Sequence, residues 1–284
     1  MNARAIDRYI NDWNCLNSPY RPTQLGLLRY RDSLNSVPLP KNSSVLILGS
    51  TPELIDLAIR SGVKNIVRMD SSMEILEAME QLAEENWSHV ETYSRDWLSD
   101  NPSWAGRFDL IWSDGGPLFL PFPSHWSILF EQVASWLKPG GLLETKIQSP
   151  PFDAEETDRK RQALLKKSPR QEKDFILQMA DLWQLCHFDA VDANGVVDRK
   201  HVLTNHNKYR DLAFESFPGN HQIIQKSFER FLENDGMTSL FSLPNYQQLK
   251  PIIHPCPLNF VSETPLADSL PAPNYCWHLR LQKD

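Results

Sequence analysis

Short apolar runs and longer stretches of helical period alternate between residues 44 and 147. Val45 to Leu48 are four consecutive apolar residues, the length of a buried strand. Gly49-Ser50-Thr51-Pro52-Glu53 breaks the run, and Leu54, Ile55, Leu57 and Ala58 restart it at helical spacing, predicting a helix from Pro52 to Ser61. The rhythm then repeats. Strands are expected at Asn65–Met69, His89–Tyr93, Phe108–Trp112 and Leu142–Ile147, with helices at Ser72–Asn86 and Ser124–Leu137. Such repetition implies a parallel sheet covered on both faces, with right-handed crossovers.

The flanks have other patterns. Residues 1–40 read as an arm of two helices, Ala5–Cys15 and Thr23–Leu34, with a turn at Asn17-Ser18-Pro19 and a linker marked by Pro38 and Pro40. Tyr9, Trp13, Tyr20 and Tyr30 make the arm aromatic, suited to packing on the body or to closing over a ligand. Residues 150–243 lose the alternation. Helices are expected at Asp153–Lys167, Pro169–His187, Asn207–Phe217 and His221–Asn234, as an inserted lid or a partner-binding subdomain. Residues 244–284 carry seven prolines, yet predict a helix at Asn245–Ile253 and strands at Leu258–Ser262 and Tyr275–Leu281. The expected organisation is therefore an arm (1–40), an α/β core (41–149 and 244–284) and a helical insertion (150–243).

Charge and cysteine usage narrow the classes. A formal charge of −7 argues against a nucleic-acid surface, which carries a basic stripe. Cys15, Cys186, Cys256 and Cys276 form no CxxC pair, so neither a zinc site nor a disulfide framework is expected. His187, Asp189 and Asp192, like His201 and His206, lack a metal-ligand geometry. No apolar run reaches the ~18 residues of a membrane helix, and the first residues lack the apolar run of a signal peptide. A cytoplasmic protein is the expectation.

The turn after the first strand has chemistry of its own. Gly49 can adopt positive φ and admit a ligand to the backbone. Thr51 is a candidate cap, Pro52 fits the first helical position, and Glu53 faces the positive helix end. A strand, glycine turn and helix opening an α/β unit form a site for nucleotide-like ligands.

Five segments, VLILGSTPEL, VRMDSSMEIL, SRDWLS, FDLIWSDGG and LKPGGLLETKI, occur in order at intervals that resemble class I S-adenosylmethionine-dependent methyltransferases. The resemblance covers 44–147 well and the final strands weakly. It implies a Rossmann-like, seven-stranded, mostly parallel sheet with helices on both faces and a helical lid insertion. It also implies S-adenosylmethionine as cofactor. Gly49, Ser50, Thr51 and Glu53 would lie at the methionine and ribose end, with Asp70 on the ribose hydroxyls. Met73 would lie against adenine, Asp96 at the adenine amino group, Trp97 beside the ring, and Ser113 beneath the sulfonium, with Ser71 and Arg95 as further cofactor-binding candidates.

Asp114 would orient the acceptor or the cofactor's amino group. His125 is the candidate base, needed only when the acceptor arrives protonated. The apolar loop GGPLFLPFPSHW fits a small-molecule acceptor, expected between that loop, the lid and the arm. The chain departs from the family at two places. Ile47 stands where the first strand usually carries an acid, and Thr51 and Glu53 stand where later glycines are usual. NAD needs close backbone approach to its pyrophosphate, so this turn disfavours it. The expected function is methyl transfer to oxygen, nitrogen or carbon of a small molecule. The alternatives are an inactive methyltransferase-like binding or scaffold protein, and another Rossmann-like transferase. The oligomeric state is left open.

Overall fold

A computed structural model describes residues 3–15, 21–37, 42–148, 154–169, 171–192, 194–235, 242–266 and 276–284. The expected turn at 17–19, the linker prolines, Tyr20, Asp153 and Tyr275 lie outside them.

Two helices come first, α1 (Ala3–Cys15) and α2 (Gln24–Leu34), the latter capped by Thr23 through its side chain onto the Gly26 N–H. The core follows as β1 (Ser44–Leu48), α3 (Pro52–Arg60), β2 (Asn65–Asp70), α4 (Met73–Glu80), β3 (Glu91–Ser94), β4 (Phe108–Ser113), α5 (Ser124–Trp136) and β5 (Leu137–Gln148). Four helices come next: α6 (Ala154–Lys166), α7 (Glu172–Phe188), α8 (Arg199–Ser216) and α9 (His221–Asp235). The chain closes with α10 (Tyr246–Ile253), β6 (Leu258–Pro265) and β7 (Cys276–Lys283).

All seven strands form one sheet in the order β3-β2-β1-β4-β5-β7-β6. β1 pairs in parallel with β2 and with β4, and β6 and β7 are antiparallel, so the sheet is mixed. The order reverses between β1 and β4, which creates a crevice at their carboxyl ends. Val45, Leu46 and Ile47 are sealed from solvent, as an apolar central strand covered by helices must be.

Three elements differ from the sequence expectation. α4 stops at Glu80 rather than Asn86, because the buried carboxylate of Asp56 captures the next donors. It accepts from Glu84 N at 3.0 Å, Glu85 N at 3.2 Å and Trp87 Nε1 at 2.7 Å. β5 begins at Leu137 and runs through Lys138-Pro139-Gly140-Gly141, a register shift in which Gly140 takes φ +76°. α8 begins eight residues before the expected Asn207, where Asp198 caps it by accepting from Lys200 N.

The chain divides into two compact units. The first holds the sheet: residues 1–117, 123–147 and 249–284. The second comprises residues 118–122 and 148–248, wider than the expected 150–243. Within it, α7 packs on α6, α8 and α9 around Phe175, Met179, Leu182, Tyr209 and Phe228. The Tyr209 hydroxyl donates to Asp189, and Arg161 lies 3.4 Å from the same carboxylate.

Candidate functional site

Of the expected site residues, Gly49, Ser50, Thr51, Asp70, Ser71, Ser113 and Asp114 lie at or just after the ends of β1, β2 and β4, Glu53 and Met73 open α3 and α4, Arg95, Asp96 and Trp97 follow β3, and His125 lies on α5. Gly49 takes φ +93°, where a side chain would be strained, and its N–H donates to the Met69 carbonyl at 2.8 Å. This bond draws the end of β1 onto β2 and turns the chain toward α3. Thr51 is buried but makes no side-chain cap bond; its carbonyl accepts from Leu54 N and Ile55 N. Pro52 holds the first helical position and Glu53 follows. Glu53 is ion-paired with Arg21, whose guanidinium also lies 5.5 Å from the Trp13 ring centroid.

Asp70 ends β2. Its Oδ1 accepts from Ser72 N at 3.0 Å, and Ser72 in turn caps α4 by accepting from Ile75 N at 3.2 Å. Burial pushes the Asp70 carboxyl up, against the lowering effect of the Ser72 and Ser71 N–H groups. Ser71 and Met73 are exposed, Met73 to 43%. Arg95 and Asp96 are exposed too; Asp96 Oδ1 accepts from Leu98 N and so shapes the loop.

Trp97 turns back from that loop across the strand ends. Its Nε1 donates to the Met69 carbonyl at 2.9 Å, the same oxygen that Gly49 uses. Its ring edge lies against two glycines. A Cβ built on Gly49 would stand 3.8 Å from Cζ2, and one built on Gly116 would stand 2.7 Å from Cη2. The indole thus spans the crevice tips of β1, β2 and the loop after β4. The sequence names Trp97 but cannot say where a loop side chain points.

The β4 end is buried and polar. Lys146 Nζ lies 2.9 Å from Asp114 Oδ1, with the two side chains 4% and 2% exposed. Burial raises the Asp114 carboxyl; Lys146 opposes this, and the nearby Glu53 carboxylate adds to it. The Tyr30 hydroxyl donates to the Ser113 carbonyl at 2.8 Å, tying α2 to the end of β4. The Tyr30 ring meets His278 edge-on at 4.7 Å between centroids. His278 Nδ1 is 3.0 Å from Glu144 Oε2, and Arg280 binds the other oxygen of Glu144.

Sequence reasoning missed Lys146, Glu144, Tyr30 and His278 as members of this cluster. One signal was present: LLETKIQ places two charges inside a run expected to be buried on both faces. His125 occupies the second position of α5. Among the described residues no hydrogen bond or ion pair joins it to Asp114.

The buried oxygens without a hydrogen-bond partner among the described residues include Ser50 Oγ, Glu53 Oε2 and Ser113 Oγ, near the crevice, and the two oxygens of Asp114, one of them ion-paired with Lys146. A polar ligand with an ammonium or hydroxyl group would satisfy the first three, so the donor set suits the amino-acid end of S-adenosylmethionine. Among the described residues no group of His, Cys, Asp and Glu could hold a metal ion, and no helix is long and apolar enough to cross a membrane.

No family model matches the chain, and no curated protein matches it. Solved structures do. A Rhodobacter sphaeroides structure named for Zn-dependent alcohol dehydrogenases aligns at TM-score 0.54 and 13% identity, covering 97% of this chain and 98% of that one. N-methyltransferase NodS from Bradyrhizobium japonicum, in complex with S-adenosyl-L-homocysteine, aligns at 0.51 and 12%, covering 99% and 97%. A Burkholderia thailandensis 1,6-didemethyltoxoflavin-N1-methyltransferase, with S-adenosylhomocysteine bound, aligns at 0.52 and 9%, covering 92% and 77%. With the strand order, these similarities establish the Rossmann-like fold of class I methyltransferases. At such identities they establish the fold alone.

Proposed function

We propose that this protein transfers a methyl group from S-adenosylmethionine to a small-molecule acceptor. The observation that carries this reading is the crevice where strand order reverses, with partnerless buried oxygens on Ser50, Glu53 and Ser113 around it. The fold similarity to methyltransferases solved with S-adenosylhomocysteine supports it.

The cofactor would supply an electrophilic methyl group on a sulfonium. The chain's residues bind and orient. Glu53 holds a cation at its carboxylate, and Ser50 and Ser113 offer hydroxyls to the same end of the ligand. Asp70 accepts hydrogen bonds from ribose hydroxyls, its carboxylate already aimed by the Ser72 N–H. Asp96 accepts from the adenine amino group, beside Arg95, and Met73 supplies apolar surface for the ring. Asp114, fixed by Lys146, presents a buried carboxylate to an acceptor. His125 takes a proton where the acceptor carries one. Orientation in a dry site is the main catalytic contribution, worth roughly 7–11 kcal/mol when it is complete.

Thermal-shift measurements with S-adenosylmethionine, S-adenosylhomocysteine and NAD test the reading. Stabilisation by the first two alone is the expected result, because a ligand selective for the native state raises its apparent stability. No response to any of them overturns it. That outcome would favour a methyltransferase-fold protein without turnover, a second reading motivated by the indole of Trp97 lying across the crevice.

A further inference from the structure

We infer that the Trp97 indole is a displaceable plug, seated across the ends of β1, β2 and β4 and leaving when ligand enters. The inference rests on the function proposed above and concerns how that site is opened.

The seat is built for a flat ring. Both glycines that line it present bare backbone to the indole, and a methyl group on Gly116 would collide with Cη2 at 2.7 Å and Cζ3 at 3.0 Å. The ring is nevertheless held by few bonds. Among the described residues its one side-chain hydrogen bond goes to the Met69 carbonyl, which already accepts from Gly49 N at 2.8 Å. When the indole leaves, that buried acceptor stays satisfied.

The plug is also a poor permanent occupant. Ser113 Oγ and Trp97 Cη2 each lie 2.7 Å from the same point beside Gly116. An apolar ring edge therefore stands close to a buried hydroxyl that has no hydrogen-bond partner among the described residues. A ligand with polar groups would satisfy what the indole cannot. The ring is carried on an exposed loop after β3, flanked by exposed Arg95 and Asp96, so it can swing without disturbing a strand.

A closed fraction lowers apparent affinity in proportion, so removing the plug raises affinity. Equilibrium titration of S-adenosylhomocysteine into the wild-type chain, Trp97→Ala and Trp97→Phe tests this. Trp97→Ala should bind about tenfold tighter than wild type, and Trp97→Phe should fall between them. In protein labelled with 5-fluorotryptophan, the Trp97 resonance, identified by its loss in Trp97→Phe, should move on ligand binding to the position of a solvent-exposed indole. Equal or weaker binding by Trp97→Ala while wild type binds overturns the plug and leaves the function intact. So does a Trp97 resonance that does not move when ligand is bound. Absence of binding in both wild type and Trp97→Ala overturns the proposed function and the plug together. Should Trp97→Ala fail to fold, Trp97→Phe and the fluorine resonance still decide.

Discussion

The ammonium of Lys146 lies 2.9 Å from the carboxylate of Asp114, and both side chains are nearly sealed from solvent. Removing one partner of a buried pair leaves the other charge uncompensated, at about 3–5 kcal/mol. Lys146→Met is therefore expected to lower the urea midpoint by a corresponding amount. Lys146→Met combined with Asp114→Leu should recover most of that loss, since apolar replacement of both partners removes the stranded charge. A double variant no more stable than the single one would show that the pair itself, rather than the orphaned carboxylate, carries the stability.

Gly116 and Trp97 form a packing pair that can be separated by a double-mutant cycle. A Cβ on Gly116 stands 2.7 Å from both Ser113 Oγ and Trp97 Cη2, so Gly116→Ala forces one of them aside. Overpacking of this kind costs about 1–3 kcal/mol. In a Trp97→Ala background the added methyl has room on the indole side. The two changes together should then cost less than the sum of their separate costs. Additive losses would place the strain at Ser113 instead.

The start of the sheet was legible in the sequence because β1 is a continuous apolar run ended by Gly49 and β2 is a mostly apolar one ended by Asp70. The length of α4 was not, because it is set by Asp56, a residue on a different helix that collects the Glu84, Glu85 and Trp87 donors. The candidate site divides in the same way. Gly49, Asp70, Ser113 and Asp114 sit at strand ends and Glu53 in the first turn of α3, where chain order alone locates them. Tyr30 and His278 join the cluster from α2 and β7, distant in sequence: the Tyr30 hydroxyl reaches the Ser113 carbonyl from a helix, and β7, next to β5 in the sheet, carries His278 to Glu144.

His278 makes stability depend on acidity. Burial, with Arg280, Arg29 and Lys146 nearby, lowers its pKa to about 3. The unfolded chain takes up a proton on this histidine below the ordinary value of 6.5, and the folded chain does not. The histidine's own contribution therefore falls as pH drops from 6.5 toward 3, by at most about 1.4 kcal/mol per pH unit, while Glu144 beside it, whose carboxyl burial pushes up to about 8, contributes in the opposite sense as pH drops from 8 toward 4.5. Arg280 keeps its bond to Glu144 in either case, so His278→Asn should remove the histidine's contribution without leaving the Glu144 carboxyl alone. Chemical denaturation at pH 7, 6 and 5 measures the difference. An unchanged slope would remove His278 as the source.

Asp70 is the position at which the proposed cofactor reading is most exposed to test. Its carboxyl is pushed up by burial, with Ser72 and Ser71 N–H groups opposing, and only the ionised form accepts from two hydroxyls. Hydrogen bonds to a charged acceptor are worth about 1.5–3 kcal/mol, so Asp70→Ala should weaken S-adenosylhomocysteine binding by about tenfold or more. The sign of the pH dependence follows from the same group. Wild-type affinity should hold at neutral pH and fall as pH drops through the raised Asp70 pKa. Asp70→Asn, which cannot titrate, should start weaker and lose that fall. Calorimetric titrations from pH 8 down to the ordinary carboxylate range near 4 separate these outcomes. A wild-type affinity matched by Asp70→Ala would take the ribose contact away from β2 and with it the assignment of the nucleoside to this end of the sheet.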